Sequence, residues 1–479
     1  MQELPTTWSA LQPAMAEMSL AAAVCLILMI DVFAGVKRRG LTLAATLIAL
    51  AACAWLTLRY GAVSQRTLLF GGLYVADPLS NWLKLCAFLT TGIGLVYGER
   101  YLERRAIRGG EYYVLALTAL LGVCVLASAN NLITVYLGVE LQALSIYALV
   151  AFDRDSGLAA EAAIKYFVLG AIASGILLYG MSMLYGLTGT LALDQLATAG
   201  GAGSMGYVIA VAFIVVAVAF KFGAVPFHMW VPDVYQGAPI SAALLLATVS
   251  HFGYFALAQR LLTHGLQGDP ATWSQMLTAV SVLSLIVGNV VAIAQTSIRR
   301  LLAYSTVANV GFLLLGFVAA TAAGYAAALN YVVIYVLTVL ASFGAVLLAA
   351  RVTGEAEELN DYRGLSTRDP HLAALLAIAM LSTAGIPPFA GFWAKLWVIQ
   401  ALLDSKLLWL AILAMITSVI GAFYYLRVVW YIYFEPGTDE AGVSRQPLTR
   451  AVLAINCLAL LALGVLPGTL LKICSALLS

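Results

Sequence analysis

Charge is scarce in this sequence. Only 10% of its 479 residues are Asp, Glu, Lys or Arg, whereas 63% are hydrophobic. The mean hydropathy of +0.96 lies far outside the range of soluble globular chains. This scarcity excludes a soluble domain of ordinary size. The net charge of +2 indicates nothing about partners once most charges are assigned to loops, and we predict no nucleic-acid partner.

Motifs for metal, disulfide or nucleophile chemistry are also missing. The six cysteines are scattered in apolar runs without close pairs, which fits neither a disulfide framework nor a metal site. There is no phosphate loop, dinucleotide fingerprint or nucleophile triad. We therefore predict that the chain binds no cofactor or metal and carries out no redox chemistry itself. The N-terminus lacks a basic region and carries Glu3 and Glu17, so the first apolar run is predicted to be retained rather than cleaved as a signal peptide.

What the sequence does have is a series of long apolar runs. A helix needs about 20 apolar residues to cross a bilayer core. Fourteen candidate spans begin near Met15, Leu41, Val75, Tyr112, Asn131, Ala160, Gly206, Ile240, Thr272, Leu301, Tyr325, His371, Lys406 and Leu448. The longest polar stretches, 188–205, 352–370 and 435–447, are predicted loops. The sequence therefore predicts an all-α membrane protein of about 14 transmembrane helices, with 1–479 as a single polytopic membrane domain.

Lysine and arginine are unequally divided between alternate loops. If the loop that holds Lys37, Arg38 and Arg39 is placed inside, 15 of the 25 basic residues fall in inside loops and 5 fall outside. Cytoplasmic loops carry the excess of basic residues in membrane proteins. We therefore predict a multi-pass protein of the bacterial inner membrane with both termini periplasmic.

Two of the predicted spans are interrupted by proline, which removes a backbone donor and clashes with the preceding turn. The seventh span contains Pro226 and the twelfth contains Pro387 and Pro388. If spans four to eight and nine to thirteen form two five-helix units, each unit has its broken helix in fourth position, and the units start from opposite sides. This is the pattern of an inverted repeat. The predicted divisions are 1–110 for helices 1–3, 111–265 and 270–434 for the two five-helix units, and 448–479 for helix 14.

Ionisable side chains interrupt the apolar runs at depths where they are rare. A charge at the bilayer centre costs at least ~2.5–3.5 kcal/mol on insertion scales, so it normally faces a protein interior or a wet path. Counted along ideal helices, Glu140 and His251 lie near the midplane and Lys165 lies about 8 Å deep. Lys221 precedes the first proline break, and Lys395 follows the second. Together these groups form an interrupted series from the inner to the outer side, as a proton pathway requires.

Lys221 is the clearest candidate for proton exchange. The break at Pro226 frees backbone carbonyls that can hold water, and water gives the ammonium a proton-exchange partner. Glu140, at similar depth, is the expected carboxylate partner, so moving the two groups together or apart would load or release a proton. The alternative is a static ion pair that only holds two helices in register.

The other candidates each have a plainer alternative. Lys395 and Lys165 could extend along their stems to the membrane surface, and Lys84 is interpreted mainly as such a surface charge. His251, which suits a relay at neutral pH, is otherwise a satisfied packing residue. His228 follows the first break, where a direct proton role and loop stabilisation are the alternatives.

Further residues are assigned less central roles. His228, Pro226, Pro387 and Pro388 are predicted accessory residues that provide the helix breaks and access from the inner side. Asp233 lies in the same segment as His228. The acidic group Glu355, Glu357, Glu358 and Asp361 is interpreted as solvated surface or a subunit contact, as charge runs usually are.

Three motifs make the sequence similar to a known family. FKFGAVPFHMWVPDVYQGAP, the GVE that contains Glu140, and AGIPPFAGFWAKLWV together resemble the antiporter-like membrane subunits of respiratory complex I, over most of the chain. The resemblance implies a proton channel of two inverted five-helix units. It also implies proton-transfer roles for Glu140, Lys165, Lys221 and Lys395. His251 stands where these subunits often have lysine.

The resemblance further implies a proton-translocating subunit of NADH–quinone oxidoreductase, driven by quinone reduction in other subunits. Those other subunits would hold NADH, FMN, iron–sulfur clusters and quinone. The implied partners are membrane subunits, especially a neighbouring antiporter-like subunit and small helical subunits, together with lipid. The largest antiporter-like subunit continues into a lateral helix, whereas this chain stops at Ser479, and the middle one typically has glutamate in place of Lys395, so both are disfavoured.

Three alternatives remain open. A multisubunit cation/proton antiporter and a membrane-bound hydrogenase contain subunits with the same motifs. A non-conducting assembly scaffold is a different class of protein. Charge-neutralising substitutions at Lys221 and Glu140 would separate a scaffold from a proton channel.

Overall fold

The structure is a computed structural model that describes residues 11–34, 39–61, 66–105, 107, 109–198, 203–349, 356–437 and 446–478. Helices dominate these ranges. The α-helices are Met15–Ala34, Arg39–Tyr60, Pro78–Arg104, Glu111–Ala127, Leu132–Val150, Gly157–Thr188, Leu193–Leu196, Met205–Phe222, Trp230–Gly237, Ile240–Ala258, Pro270–Ile293, Ile298–Val318, Ala322–Ala349, Leu365–Arg368, Pro370–Ala384, Ala390–Asp404, Leu408–Tyr433, Pro447–Val465 and Pro467–Leu478. A π-helical turn, Gln259–Gly265, extends the Ile240–Ala258 helix.

Each of the fourteen predicted starts lies within three residues of a helix start. Within the described ranges, 12 helices are long and apolar enough to cross a membrane. The fourth predicted span is the shorter helix Glu111–Ala127, of 17 residues, and the twelfth is divided between Pro370–Ala384 and Ala390–Asp404. The all-α membrane fold is confirmed, whereas the count of fourteen spans remains a prediction.

One small element was not predicted. Two short strands, Thr67–Leu69 and Tyr74–Ala76, pair in antiparallel register before the third predicted span. We placed the start of that span near Val75, but the helix begins at Pro78. Apolar side chains continue through the second strand, so hydropathy alone gave no boundary between strand and helix.

Polar residues between the apolar runs set several helix boundaries. The side chains of Asn131, Ser156, Ser297 and Asp369 accept hydrogen bonds from backbone N–H groups in the first turns that follow them. Such a cap satisfies a donor that has no partner within the helix and is typically worth about 0.5–2 kcal/mol. Gly189 adopts the left-handed conformation, φ 71°, that ends the Gly157–Thr188 helix.

The chain divides into two compact units. The first contains Met1–Leu95, Arg105–Lys221 and Val249–Met276, and the second contains Val96–Arg104, Phe222–Thr248 and Leu277–Ser479. The predicted division into five-helix units at 111–265 and 270–434 remains a prediction.

A buried ion pair joins two distant segments of the first unit. Arg260 is buried and binds Asp77, with Nη1 2.7 Å from Oδ2 and Nη2 3.0 Å from Oδ1. Its Nη2 also donates to the carbonyl oxygen of Ala127, at the end of the Glu111–Ala127 helix. Burial opposes ionisation of Asp77, but the charge and hydrogen bonds of Arg260 and the hydrogen bonds from Ser80 hold the pKa of Asp77 at about 2.

Both units contain the same close contact between two helices. In the first unit, a Cβ at Gly138 would lie 3.0 Å from Leu126 N and 3.2 Å from Gly122 O. In the second, a Cβ at Gly311 would lie 3.0 Å from Leu285 N and 3.1 Å from Ser281 O, again four residues earlier. In each case the contact joins the first two helices of a predicted five-helix unit.

Candidate functional site

The first predicted break is confirmed. The Met205–Phe222 helix ends one residue after Lys221, and Gly223 takes up the left-handed conformation with φ 70°. The segment continues through a cis peptide bond at Val225–Pro226, and a new helix begins at Trp230. Lys221 therefore lies in the last turn of its helix, where unsatisfied carbonyl groups present a partial negative charge that favours a cation.

Lys221 is buried, with 3% of its surface exposed. Its Nζ lies 3.5 Å from Ser174 Oγ, at the long limit of a hydrogen bond. Glu140 acts on it electrostatically, but no ion pair within 4.0 Å joins the two among the described residues. Within the same ranges, Glu140 Oε1 is buried and has no hydrogen-bond partner. The arrangement is a separated acid and amine rather than a closed ion pair.

The helices of Glu140 and His251 contact each other directly. Gln142, two residues after Glu140, donates from Nε2 to the carbonyl oxygen of Ser250 at 3.3 Å. His251 is buried, and its ring lies 5.8 Å from that of Tyr254. His251, the predicted relay histidine, therefore follows directly on Ser250, whose backbone carbonyl contacts the helix that contains Glu140.

Sequence reasoning missed a group of hydroxyls in this region. Tyr254 Oη lies 3.5 Å from Tyr166 Oη, and the Tyr166 ring packs edge-on against that of Tyr147 at 4.6 Å. Tyr147 follows Glu140 by seven residues, a spacing that puts both on one side of a helix. From this seven-residue spacing, the location of Tyr147 on the same side of the helix as Glu140 could have been predicted.

Lys165 has a different environment from Lys221. Its side chain is 44% exposed, and its Nζ lies 2.8 Å from Glu161 Oε1, one helical turn earlier. The structure therefore places Lys165 on the surface of this chain.

The second predicted break is also confirmed. The Pro370–Ala384 helix is followed by Gly385, which has φ 83°, and a cis bond joins Pro387 to Pro388 before the next helix starts at Ala390. The three break prolines, at positions 226, 387 and 388, are exposed. Gly391 leaves no room for a side chain, because a Cβ there would overlap the carbonyl oxygen of Ser382.

Lys395 is held at this break by neutral groups. It is 8% exposed, and its Nζ donates to Ala384 O at 3.0 Å and to Ser418 Oγ at 3.2 Å. The Nζ also lies 5.3 Å from the centre of the Phe312 ring, within cation–π distance. In the described ranges no carboxylate lies within 4.0 Å of it. Because the amine binds inside the protein, extension of Lys395 to the membrane surface does not describe this side chain.

The interpretation of Lys84 as a surface charge was wrong. Lys84 is 1% exposed, and its Nζ lies 2.5 Å from Glu17 Oε1 and 3.0 Å from Tyr74 Oη. Glu17 lies in the first predicted span and Lys84 in the third. Two residues so far apart in sequence give no local signal of their pairing.

The residues after the first break belong to a polar cluster. Asp233 lies 3.1 Å from Arg300, and Gln236 donates to Glu357 Oε1 at 2.8 Å. His228 is half-buried, with its ring 6.3 Å from that of Tyr304. Glu357 is therefore a structural contact, whereas Glu355 lies outside the described residues. In the described ranges, no group of three or more His, Cys, Asp or Glu side chains is arranged to hold a metal ion.

Two interrupted membrane helices, each with a buried lysine amine beside the break, are the features by which this chain can be assigned to a class of membrane protein. The family model described as NADH:quinone oxidoreductase/Mrp antiporter, TM, matches residues 129–421. This match covers more than half of the chain and includes both breaks. The chain belongs to this family.

Individual relatives show which members of this family the chain resembles. The chain is 47% identical over 479 aligned residues to NADH-quinone oxidoreductase subunit N of Herminiimonas arsenicoxydans, with 97% of each chain covered. It is similar to a chain of respiratory complex I from Thermus thermophilus solved with bound aureothin, at TM-score 0.79 and 32% identity, covering 95% of this chain and 98% of that one. A chain of the Mrp complex from Dietzia sp. DQ12-45-1b has TM-score 0.82 at 22% identity, covering 98% and 97%. The Mrp likeness shows the fold alone.

Proposed function

We propose that this chain is a proton-translocating membrane subunit of NADH–quinone oxidoreductase. The observation that carries the proposal is the pair of buried amines: Lys221 lies in the last turn of a half-helix, and Lys395 Nζ binds the carbonyl oxygen of the last residue of another. A buried cation on an interrupted membrane helix is costly, and such groups mark ion or proton paths. The 47% identity to a relative named subunit N supports the assignment to this complex.

The proposed mechanism uses the separation of Glu140 and Lys221. A carboxylate that approaches a buried ammonium stabilises its charge, and a carboxylate that withdraws favours release of the proton. Because the two groups are not in direct contact, a small movement of either helix changes their interaction. We propose relay roles for His251 and Lys165 and accessory roles at the breaks for His228 and the three break prolines.

Two inverted five-helix units are part of this proposal. The matching contacts of Gly138 and Gly311 support it, because each joins the first two helices of a predicted unit through the same pair of backbone atoms. The proposal also places the chain in the bacterial inner membrane with both termini periplasmic, as the distribution of basic residues indicates.

Coupling to redox chemistry would come from neighbouring chains. We propose that NADH, FMN, the iron–sulfur clusters and quinone are bound by other subunits. The proposed contacts of this chain are with lipid, a neighbouring antiporter-like subunit and small helical subunits.

A subunit of a multisubunit cation/proton antiporter is the second candidate. The fold does not separate the two, since the Mrp chain and the complex I chain have similar TM-scores. Sequence identity favours the oxidoreductase, at 47% for the relative named subunit N against 22% for the Mrp chain. Affinity purification of the tagged chain distinguishes the two candidates. Co-purification of flavin and iron–sulfur subunits supports the proposal. Co-purification of antiporter subunits without flavin and iron–sulfur subunits contradicts it.

The proton role is tested with Lys221→Ala and Glu140→Ala in the assembled complex. We expect both to lower NADH-driven acidification of sealed membrane vesicles, while NADH oxidation with an artificial electron acceptor reports unchanged assembly. Lys472→Ala, which removes an exposed lysine near the C-terminus, is the matched control. Full proton pumping by both variants would show that the chain is a scaffold.

A further inference from the structure

A small polar cavity lies beside Lys395 in the second unit. Its volume, counted as the space open to the centre of a water-sized sphere, is about 20 Å³, which exceeds the ~10–15 Å³ that one water molecule needs. The lining residues are Asn309, Tyr331, Ile334, Tyr335, Thr338, Ser382, Thr383, Gly391, Ala394 and Lys395. A site with an ammonium, an amide and several hydroxyls offers a water the partners it requires.

We propose that Asn309 is a positioning residue that fixes the hydroxyl of Tyr331 as a hydrogen-bond acceptor for a water molecule bound beside Lys395. This inference rests on the proposed proton role of Lys395. It gives two uncharged side chains, Asn309 and Tyr331, a role in orienting the water that receives the proton of Lys395.

The hydrogen bonds of Asn309 fix the orientation of its amide. The side chain is buried, and its Nδ2 donates to Ser305 O at 2.8 Å and to Tyr425 Oη at 3.2 Å. Both donors of the amide are therefore used. The Tyr425 hydroxyl is in turn held 2.5 Å from Ser305 Oγ. The remaining group, Oδ1, can only accept.

Tyr331 supplies the proton that Oδ1 accepts. Its Oη lies 2.7 Å from Asn309 Oδ1, and a phenol has one proton to donate. The oxygen lone pairs of Tyr331 are then left for the cavity. The ring is stacked on Phe312, with centroids 6.1 Å apart and planes 9° apart, and the same Phe312 ring faces Lys395 Nζ.

The result is a site with one donor side and one acceptor side. A water in the cavity can accept a hydrogen bond from the Lys395 ammonium and donate one to Tyr331 Oη. When the ammonium releases its proton, the proton passes to this water, and the hydrogen bond that the water donates to Tyr331 Oη stabilises the resulting hydronium ion. Without Asn309, the Tyr331 hydroxyl is free to turn its own proton into the cavity and to compete with the ammonium.

The test uses the assembled complex in sealed vesicles and compares Asn309→Leu, Tyr331→Phe and the double variant. We expect each single variant to slow proton pumping by about threefold to tenfold, the range that corresponds to the loss of one hydrogen bond. The double variant should be no slower than either single variant. We also expect a larger solvent deuterium isotope effect on pumping, which a merely structural change would not produce.

Tyr325→Phe is the matched control, because Tyr325 lies on the same Ala322–Ala349 helix and does not line the cavity. Tyr331→Phe keeps the stacked ring, so it decides the matter if Asn309→Leu fails to assemble. Unchanged rates and isotope effects in Tyr331→Phe, with Lys395→Ala inactive, would overturn this inference and leave the proposed function intact. Normal pumping by Lys395→Ala would instead contradict the proton role of Lys395 itself.

Discussion

Lys221 precedes its helix break, whereas Lys395 follows the break in its own span. The two amines nevertheless reach equivalent places. Lys221 lies in the last turn of Met205–Phe222, and Lys395 Nζ donates to the carbonyl oxygen of Ala384, the last residue of Pro370–Ala384. Each ammonium is thus placed at the carboxyl end of a first half-helix, where the helix dipole favours positive charge. The common feature is therefore the helix end, and not the order of lysine and proline in the sequence.

The two sites differ in their acidic partner. Glu140 acts on Lys221, whereas Lys395 is bound by a carbonyl and a hydroxyl. Glu140 lies two residues after Gly138, and the residue two after the matching Gly311 is Leu313. The second site therefore lacks a carboxylate at the corresponding position. We infer that charge coupling tunes the first amine and that neutral hydrogen bonds tune the second.

The largest effect is expected from removal of the second amine. Lys395→Ala should lower vesicle acidification by more than about tenfold, since a positioned proton-transfer group typically contributes at least that much. The loss should be of the same order as that of Lys221→Ala, because both ammonium groups lie at the carboxyl end of a first half-helix. A Lys395→Ala complex that assembles and pumps normally would show that the second amine does not share the role of Lys221.

The next largest effect is expected from the interaction of Glu140 with Lys221, which should not extend to Lys395. In double-mutant cycles on the pumping rate, Glu140→Gln should be non-additive with Lys221→Ala by roughly 0.5–3 kcal/mol, because interacting residues couple by this amount. The same substitution should be additive with Lys395→Ala. Equal coupling to both lysines would remove the distinction between a charged and a neutral site.

A smaller difference is expected between two serines. Ser418 Oγ lies 3.2 Å from Lys395 Nζ, whereas Ser174 Oγ lies 3.5 Å from Lys221 Nζ. Ser418→Ala should therefore slow pumping by about threefold to tenfold, as expected for the loss of one hydrogen bond. Ser174→Ala should have less effect, because its contact is at the limit of hydrogen bonding. The reverse order would contradict the neutral-acceptor account of the second site.

The smallest effect is expected at Lys165. Its pair with Glu161 is exposed on this chain, and such pairs contribute about 0–1 kcal/mol to stability. Lys165→Ala should lower pumping less than Lys221→Ala and leave the amount of assembled complex unchanged. A loss as large as that of Lys221→Ala would show that burial within this chain does not rank the proton-transfer residues.

Helix positions and both breaks could be predicted from the sequence, because apolar length and proline act locally. Which lysines point into the protein and which lie on its surface could not be predicted. Lys165 and Lys395 both interrupt apolar helices, yet Lys165 is exposed and Lys395 is buried. A helix that is apolar all round has no polar face to show which side packs inward.

Contacts between side chains distant in sequence could not be predicted either. Glu17 binds Lys84, and Ser418 binds Lys395, only because the fold brings their helices together. The Asn309 network was missed for the same reason, since a lone asparagine in an apolar run gives no indication of the tyrosines that surround it.

The proton role of the two buried amines is tested most directly by the number of protons moved per NADH oxidised in vesicles that contain the Lys221→Ala/Lys395→Ala double variant. If the two buried amines carry protons, the ratio falls below that of the unaltered complex while assembly is maintained. An unchanged ratio in the assembled double variant would show that these amines do not carry protons.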